Sequence, residues 1–134
     1  MADDGLVTIH SMRSAQDTIE GVEAAVKAKG ATLFAKIDHA AGATEAGATL
    51  RPTTLMIFGN APAGTPLMKS NQRIGIDLPL KMLVWKDSEG KVWLTYDDPA
   101  WIARRHGIDA QFEPVVHAMS ATLSEIAQDA AGVG

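Results

Sequence analysis

Residues 81–96 read Lys-Met-Leu-Val-Trp-Lys-Asp-Ser-Glu-Gly-Lys-Val-Trp-Leu-Thr-Tyr, and they decide the fold class. Two runs rich in apolar, β-branched and aromatic residues, Lys81–Lys86 and Lys91–Tyr96, flank Asp87-Ser88-Glu89-Gly90. Glycine in the last turn position suits a hairpin with a bulge. Met82, Val84 and Lys86 fall on one face, and Leu83 and Trp85 on the other, because successive strand side chains alternate. A hairpin makes at least part of any sheet antiparallel.

Outward from the hairpin, Asp98–Pro99 combines a capping side chain with a proline that suits the first helical position, and predicts a helix through Trp101, Ile102 and Arg105 to Gly107. A longer amphipathic helix follows from Glu113–Pro114. Its apolar stripe is Val115, Val116, Met119, Leu123 and Ile126, expected to be buried together. Upstream, Thr53 to Phe58 reads as a central strand, and Thr65–Pro66 repeats the cap-and-proline signal for a short helix. Thr32 to Asp38 is a strand with Leu33, Ala35 and Ile37 on one face and Phe34 on the other. Asp38 caps a short helix over His39–Glu45. Leu6 to His10 alternates as an edge strand does, and Ser14 caps a helix striped by Ile19, Val22 and Val26. The order β-α-β-α-β-α-β-β-α-α predicts an α+β fold, a two-layer sandwich of one mixed sheet of about five strands with helices mainly on one face.

The 134 residues fit a single domain spanning 1–134, with an ordered core from about 6 to 128 and fraying ends at Met1–Gly5 and Ala130–Gly134. Apolar residues make up 46% and charged residues 21%, enough apolar material for a core without staples. Twelve basic against sixteen acidic residues give a net charge of −4. That balance argues against a nucleic-acid partner. The absence of cysteine excludes disulfides and thiolate chemistry, and fits a reducing compartment. With no signal-like start and no apolar run near the ~18 residues a span requires, no membrane partner is expected and a cytoplasmic location is.

Motifs for nucleotide loops, serine-nucleophile elbows and zinc helices are missing, and the four histidines have no metal spacing. Two stretches stand above this background. Phe58 to Pro66 runs from a strand through small residues toward a helix start, where first-turn N–H groups suit an anion. The alternative is a tight turn with Gly59 and Gly64 at positive φ. Asp38–His39 closes another strand with a side chain that titrates near neutral pH, and the alternative is a simple cap. If the strands ending at Asp38 and Gly59 were parallel neighbours, His39, Asn60 and Thr65 would converge in one pocket.

Asp38-His39-Ala40-Ala41, Leu50-Arg51-Pro52-Thr53, Phe58 to Met68, Leu78-Pro79-Leu80-Lys81 and Tyr96-Asp97-Asp98-Pro99 together resemble the domain-of-unknown-function 302 family, over about residues 6–128. Ala61 departs from it, since the family often runs Gly-Asn-Pro directly. The resemblance implies a two-layer α/β domain, often standing alone, that forms a homodimer, and it implies no established activity. It also groups His39, Asn60, Thr65, Lys81 and Tyr96 as ligand-binding residues, because these positions fall in the shared segments.

Three functions are compatible with this. The first is a small-molecule or anion-binding domain, its ligand a small anion held at strand ends. The second is an enzyme with His39 as general acid or base beside Asp38. The third is a structural or partner-binding domain, to which the tryptophans would contribute, although Trp85 and Trp93 on opposite hairpin arms fit core packing better. No catalytic residue, metal or cofactor is assigned.

Overall fold

A computed structural model describes residues 3–133, the Ala61 side chain excepted. Five strands, β1 (Leu6–Ser11), β2 (Thr32–Asp38), β3 (Thr53–Gly59), β4 (Leu80–Lys86) and β5 (Val92–Asp97), form one sheet in the order β1-β5-β4-β3-β2. Five α-helices, α1 (Ala15–Ala28), α2 (His39–Glu45), α3 (Ala61–Ser70), α4 (Pro99–Arg105) and α5 (Glu113–Ala131), complete an α+β fold in the expected order. Every strand pair is antiparallel, so the sheet is not mixed.

The hairpin forms as its turn chemistry dictates. Gly90 takes φ 82°. The Asp87 carboxylate accepts from the backbone N–H of Glu89 and Lys91, each at 2.9 Å, and from the Trp93 indole at 2.9 Å. The indole bond first, then the turn amides, hold the Asp87 carboxyl below its ordinary range.

Ser14 caps α1, its hydroxyl accepting from Asp17 N–H at 3.0 Å. β1 and β2 lie at opposite edges, so α1 must carry the chain across the whole sheet. Its 14 residues span about 21 Å at ~1.5 Å each, close to four inter-strand steps of ~4.8 Å. Ile19, Val22, Ala25 and Val26 on α1 pack with Leu123 and Ile126 of α5 onto Met56, Phe58, Met82, Val84, Leu94 and Tyr96. A second cluster joins Leu67, Ile74, Ile102, Val116 and Met119, tying α3, α4 and the first half of α5 to a 3-10 turn over Gln72–Ile76. The α5 stripe is therefore buried in two separate places, with Val115 only half-buried.

The C-terminal tail does not fray where the sequence suggests. Ala130 and Ala131 are fully buried, Met12 N–H donates to the Ala131 carbonyl at 2.8 Å, and Arg13 donates to Asp129 and Ala130 carbonyls. Near the start, Asp3 accepts from Gly5 N–H and from Arg104. Met1, Ala2 and Gly134 lie outside the described residues.

β2 departs from simple alternation. Leu33 pairs with Phe58 and Ala35 with Ile57, so Phe34 is the extra residue of a bulge. Leu33 therefore falls opposite a core position of β3, out of phase with Ala35 and Ile37.

Candidate functional site

The antiparallel register of β2 and β3 sets what can converge. Thr32 pairs with Gly59 and Asp38 with Thr54. The seven residues of β2 therefore separate His39 from Asn60 by roughly 20 Å. His39 and Asn60 sit at opposite ends of the sheet, and the pocket expected to join them does not form. Asp38 acts as a cap, its carboxylate accepting from Ala41 N–H at 2.9 Å, and His39 is exposed in the first turn of α2.

Asn60, Thr65, Lys81 and Tyr96 lie toward the other end, but on different surfaces. Lys81 is on the sheet face turned away from the helices, and its ammonium donates to the carbonyls of Asp77 at 3.1 Å and Pro79 at 3.3 Å. Tyr96 is a core residue, 8% exposed. Burial first, then the Asp98 carboxylate, pushes its phenol up, partly offset by a hydrogen bond with Ser124.

Asn60 and Thr65 do share a cavity, of about 910 Å³, in the seam between the two hydrophobic clusters. Phe58 and Ile126 of the sheet cluster form part of its wall, and Met119 of the second cluster another part. Its lining is mostly carbon. Polar groups among the lining residues are the Asn60 amide, the Thr65 and Thr122 hydroxyls and the Lys29 ammonium, which is ion-paired with Glu125.

Local sequence explains the cavity. α3 begins at Ala61, not at Thr65, because Asn60 and Pro62 supply the helix start one turn earlier. Asn60 is the N-cap residue, but its side chain makes no capping hydrogen bond. Thr65 is thus a helix-body residue, and Pro66 lies inside the helix, where it cannot donate to the carbonyl four residues before it. Gly59 and Gly64 are not at positive φ. Both line the cavity, and a Cβ on Gly64 would meet Leu78 at 3.5 Å and Met68 at 3.8 Å, ordinary contact distances. Gly75 and Pro79, the latter after a cis peptide bond, line the same cavity.

Sequence reasoning missed Lys29, and it missed a half-buried polar pair. His106 Nε2 lies 2.5 Å from Asp77 Oδ2, and Arg105 reaches the same carboxylate at 3.1 Å. Asn71 donates to the His106 carbonyl at 2.7 Å. This network bolts the 72–76 turn to the end of α4 and does not line the cavity. Adjacent Arg105–His106 at a helix end was the available signal. Among the described residues no three histidine, cysteine or acidic side chains cluster as metal ligands. Among them, too, no helix is long and apolar enough to cross a membrane.

The family described as "Domain of unknown function DUF302" matches residues 7–128. This chain belongs to the DUF302 family. The DUF302 segment quoted from the sequence, Phe58 to Met68, is the strand, cap and helix that wall the cavity. The fold is similar to that of an uncharacterised conserved DUF302 protein from Bacillus stearothermophilus. The TM-score is 0.84, covering 95% of this chain and 98% of that one, and at 16% identity this likeness shows the fold alone. The DUF302 chain is also 47% identical over 130 residues to Fluoride-specific ion channel FluC 1 of Brucella suis biovar 1, covering 97% of this chain and 51% of that protein. The protein of the same name from Brucella abortus biovar 1 is equally similar, with 48% of its length covered. The chain spans about half the length of the curated relatives it matches.

Proposed function

We propose that this DUF302 domain binds a small molecule with an apolar body and a polar or anionic end, in the cavity between α3, α5 and the ends of β3 and β4. The observation that carries this reading is the chemistry of the cavity wall. A volume of about 910 Å³ is within the range of small-molecule sites, and a carbon lining with a few polar groups matches their usual composition. Asn60 can donate and accept, Thr65 offers a hydroxyl, and Lys29 offers charge that its pairing with Glu125 moderates. A free inorganic anion is a poor fit to such a wall, since it would lose hydration without matching donors. An amphiphile loses water from its apolar part, which favours binding.

The test uses 1-anilinonaphthalene-8-sulfonate, an apolar ring system with one anionic group. Saturable one-to-one binding is expected, lost in Ala118→Trp, which places an indole from the exposed face of α5 into the cavity, and retained in His39→Ala. Ala118 lines the cavity but is exposed, so the fold should tolerate the change. Binding that is unsaturable, or indifferent to Ala118→Trp in a protein of unchanged thermal midpoint, would sink this reading.

A second reading is supported by the likeness to half the length of proteins named as fluoride-specific channels. Under it, the domain acts as an accessory of fluoride handling. Cells that carry this chain should then become more sensitive to fluoride when it is deleted, and unchanged growth on fluoride would remove the idea.

A further inference from the structure

The cavity is long, narrow and different at its two ends. Along α5 it is lined by Pro114, Val115, Ala118, Met119, Thr122 and Ile126, one stripe of the helix. At ~1.5 Å per residue the stripe is about 18 Å long, so a volume of about 910 Å³ leaves a section of roughly 50 Å². Met68, Leu78 and Val115 wall the end that belongs to the second hydrophobic cluster, and bring no charge, hydroxyl or amide side chain. Ala31, Phe58 and Ile126 of the sheet cluster wall the other end. There Lys29, Asn60 and Thr122 enter the lining. Gly59, just before Asn60, pairs with Thr32, three residues after Lys29, and Lys29 is ion-paired with Glu125, about one turn along α5 from Thr122. Among the described residues Lys29 is the single charged member of the lining.

Phe34 marks the same end. It is the extra residue of the β2 bulge, and bulges re-aim a side chain. Its ring lies 3.8 Å from where a Cβ on Gly59 would be, lines the cavity and is 55% exposed. A phenyl group therefore stands beside the lysine with water on one side, a surface that an alkyl chain passing between them would cover.

We propose that the ligand is a free, unbranched long-chain carboxylate that lies along α5, its head on the Lys29 ammonium and its methyl end against Met68 and Val115. This rests on the reading that the cavity binds an amphiphile, and adds the length, shape and direction of that amphiphile. With C–C bonds of about 1.5 Å an extended chain advances roughly 1.3 Å per carbon, so about 12–14 carbons fill the 18 Å. The head is a carboxylate because Lys29 already holds one, that of Glu125. The exchange replaces like with like, and it costs little, since the Lys29 and Glu125 side chains are 30% and 58% exposed. Asn60, whose side chain does not cap α3, and Thr122 supply further donors at the head. A cationic head of the same length would meet Lys29 with repulsion. The net charge of −4 disfavours the same chains presented in an anionic bilayer.

Calorimetric titration below the micellar concentration tests this. From hexanoate to dodecanoate, affinity should rise about threefold to fourfold per carbon, the worth of one buried methylene, and level off past about 14 carbons. The wild-type chain should prefer decanoate to decyltrimethylammonium about tenfold, and Lys29→Met should abolish that preference. Glu125→Gln, which frees Lys29, should tighten decanoate about twofold to fivefold, a gain that loss of structure cannot mimic. No gain between six and twelve carbons, equal binding of the two decyl ligands, a preference that survives Lys29→Met, or a Glu125→Gln variant that binds no tighter would each overturn the proposal. So would co-sedimentation with phosphatidylglycerol vesicles by a chain that ignores free dodecanoate. If dodecanoate does not bind while 1-anilinonaphthalene-8-sulfonate still does and is lost in Ala118→Trp, this inference falls and the cavity reading stands. If neither binds, both fall.

Discussion

His106 Nε2 and Asp77 Oδ2 are 2.5 Å apart, with the histidine side chain 6% exposed. This pair, with Arg105 on the same carboxylate, joins a 3-10 turn to the C-terminal end of α4. Removing the acid strands a nearly buried ring without its partner. Asp77→Ala should therefore destabilise the fold by about 1–3 kcal/mol in urea denaturation, whereas Asp77→Asn, which keeps an acceptor, should cost less.

Gly64→Ala separates stability from binding. A helix interior prefers alanine by about 1 kcal/mol, and the new Cβ meets Leu78 and Met68 only at ordinary contact distances. The thermal midpoint should rise. The same methyl group enters the cavity, so affinity for 1-anilinonaphthalene-8-sulfonate should fall. A variant that gains stability and keeps full affinity would show that this wall does not contact the ligand.

Gly21→Ala should have the opposite sign despite identical chemistry. Its Cβ would lie 2.9 Å from the Ala130 backbone, where α1 and α5 approach. Overpacking of about 1–3 kcal/mol exceeds the ~1 kcal/mol gain in helix propensity. Net destabilisation in chemical denaturation is the expected result.

Tyr96 is the sole tyrosine in the sequence, so tyrosinate absorbance reports on it alone. Its pKa is raised, chiefly by burial, so folding favours the neutral phenol. The stability this contributes is complete below the ordinary tyrosine value and is lost as pH rises through the folded one. Titration of the native protein should show the absorbance step displaced to higher pH than in the unfolded chain. Tyr96→Phe should remove the step and, by losing the bond to Ser124, cost about 0.5–1.5 kcal/mol.

Much of the fold was legible because it is locally encoded. Gly90 and Asp87 specify the hairpin turn, Ser14, Asp38 and Asp98 cap the helices they precede, and the α5 stripe is buried except at Val115. Strand direction was not legible. Nothing in the period of Thr32–Asp38 or Thr53–Phe58 says whether two strands run together or opposed, and the short α2 between them returns the chain antiparallel. That one relation removed His39 from the candidate site. The tryptophans were half legible: Trp85 and Trp93 do stack across the hairpin at 6.3 Å, but on the uncovered face and not in the core. The small residues of Phe58–Pro66 drew attention to one wall of the cavity, but its other walls, from Lys29, Gly75 to Leu80 and α5, lie far away in sequence and only the fold brings them there.

The path of α1 from one sheet edge to the other also orders events in time. Strands β2 to β5 are consecutive neighbours, so they can zip up through local contacts, whereas β1 must find β5 from the far side of the sequence, Leu6 beside Asp97. The four-strand meander should therefore acquire amide protection first in pulsed hydrogen exchange, with β1 and α1 docking afterwards as one late-arriving unit. Simultaneous protection of Ile9 and Met56 amides would contradict that sequence of assembly.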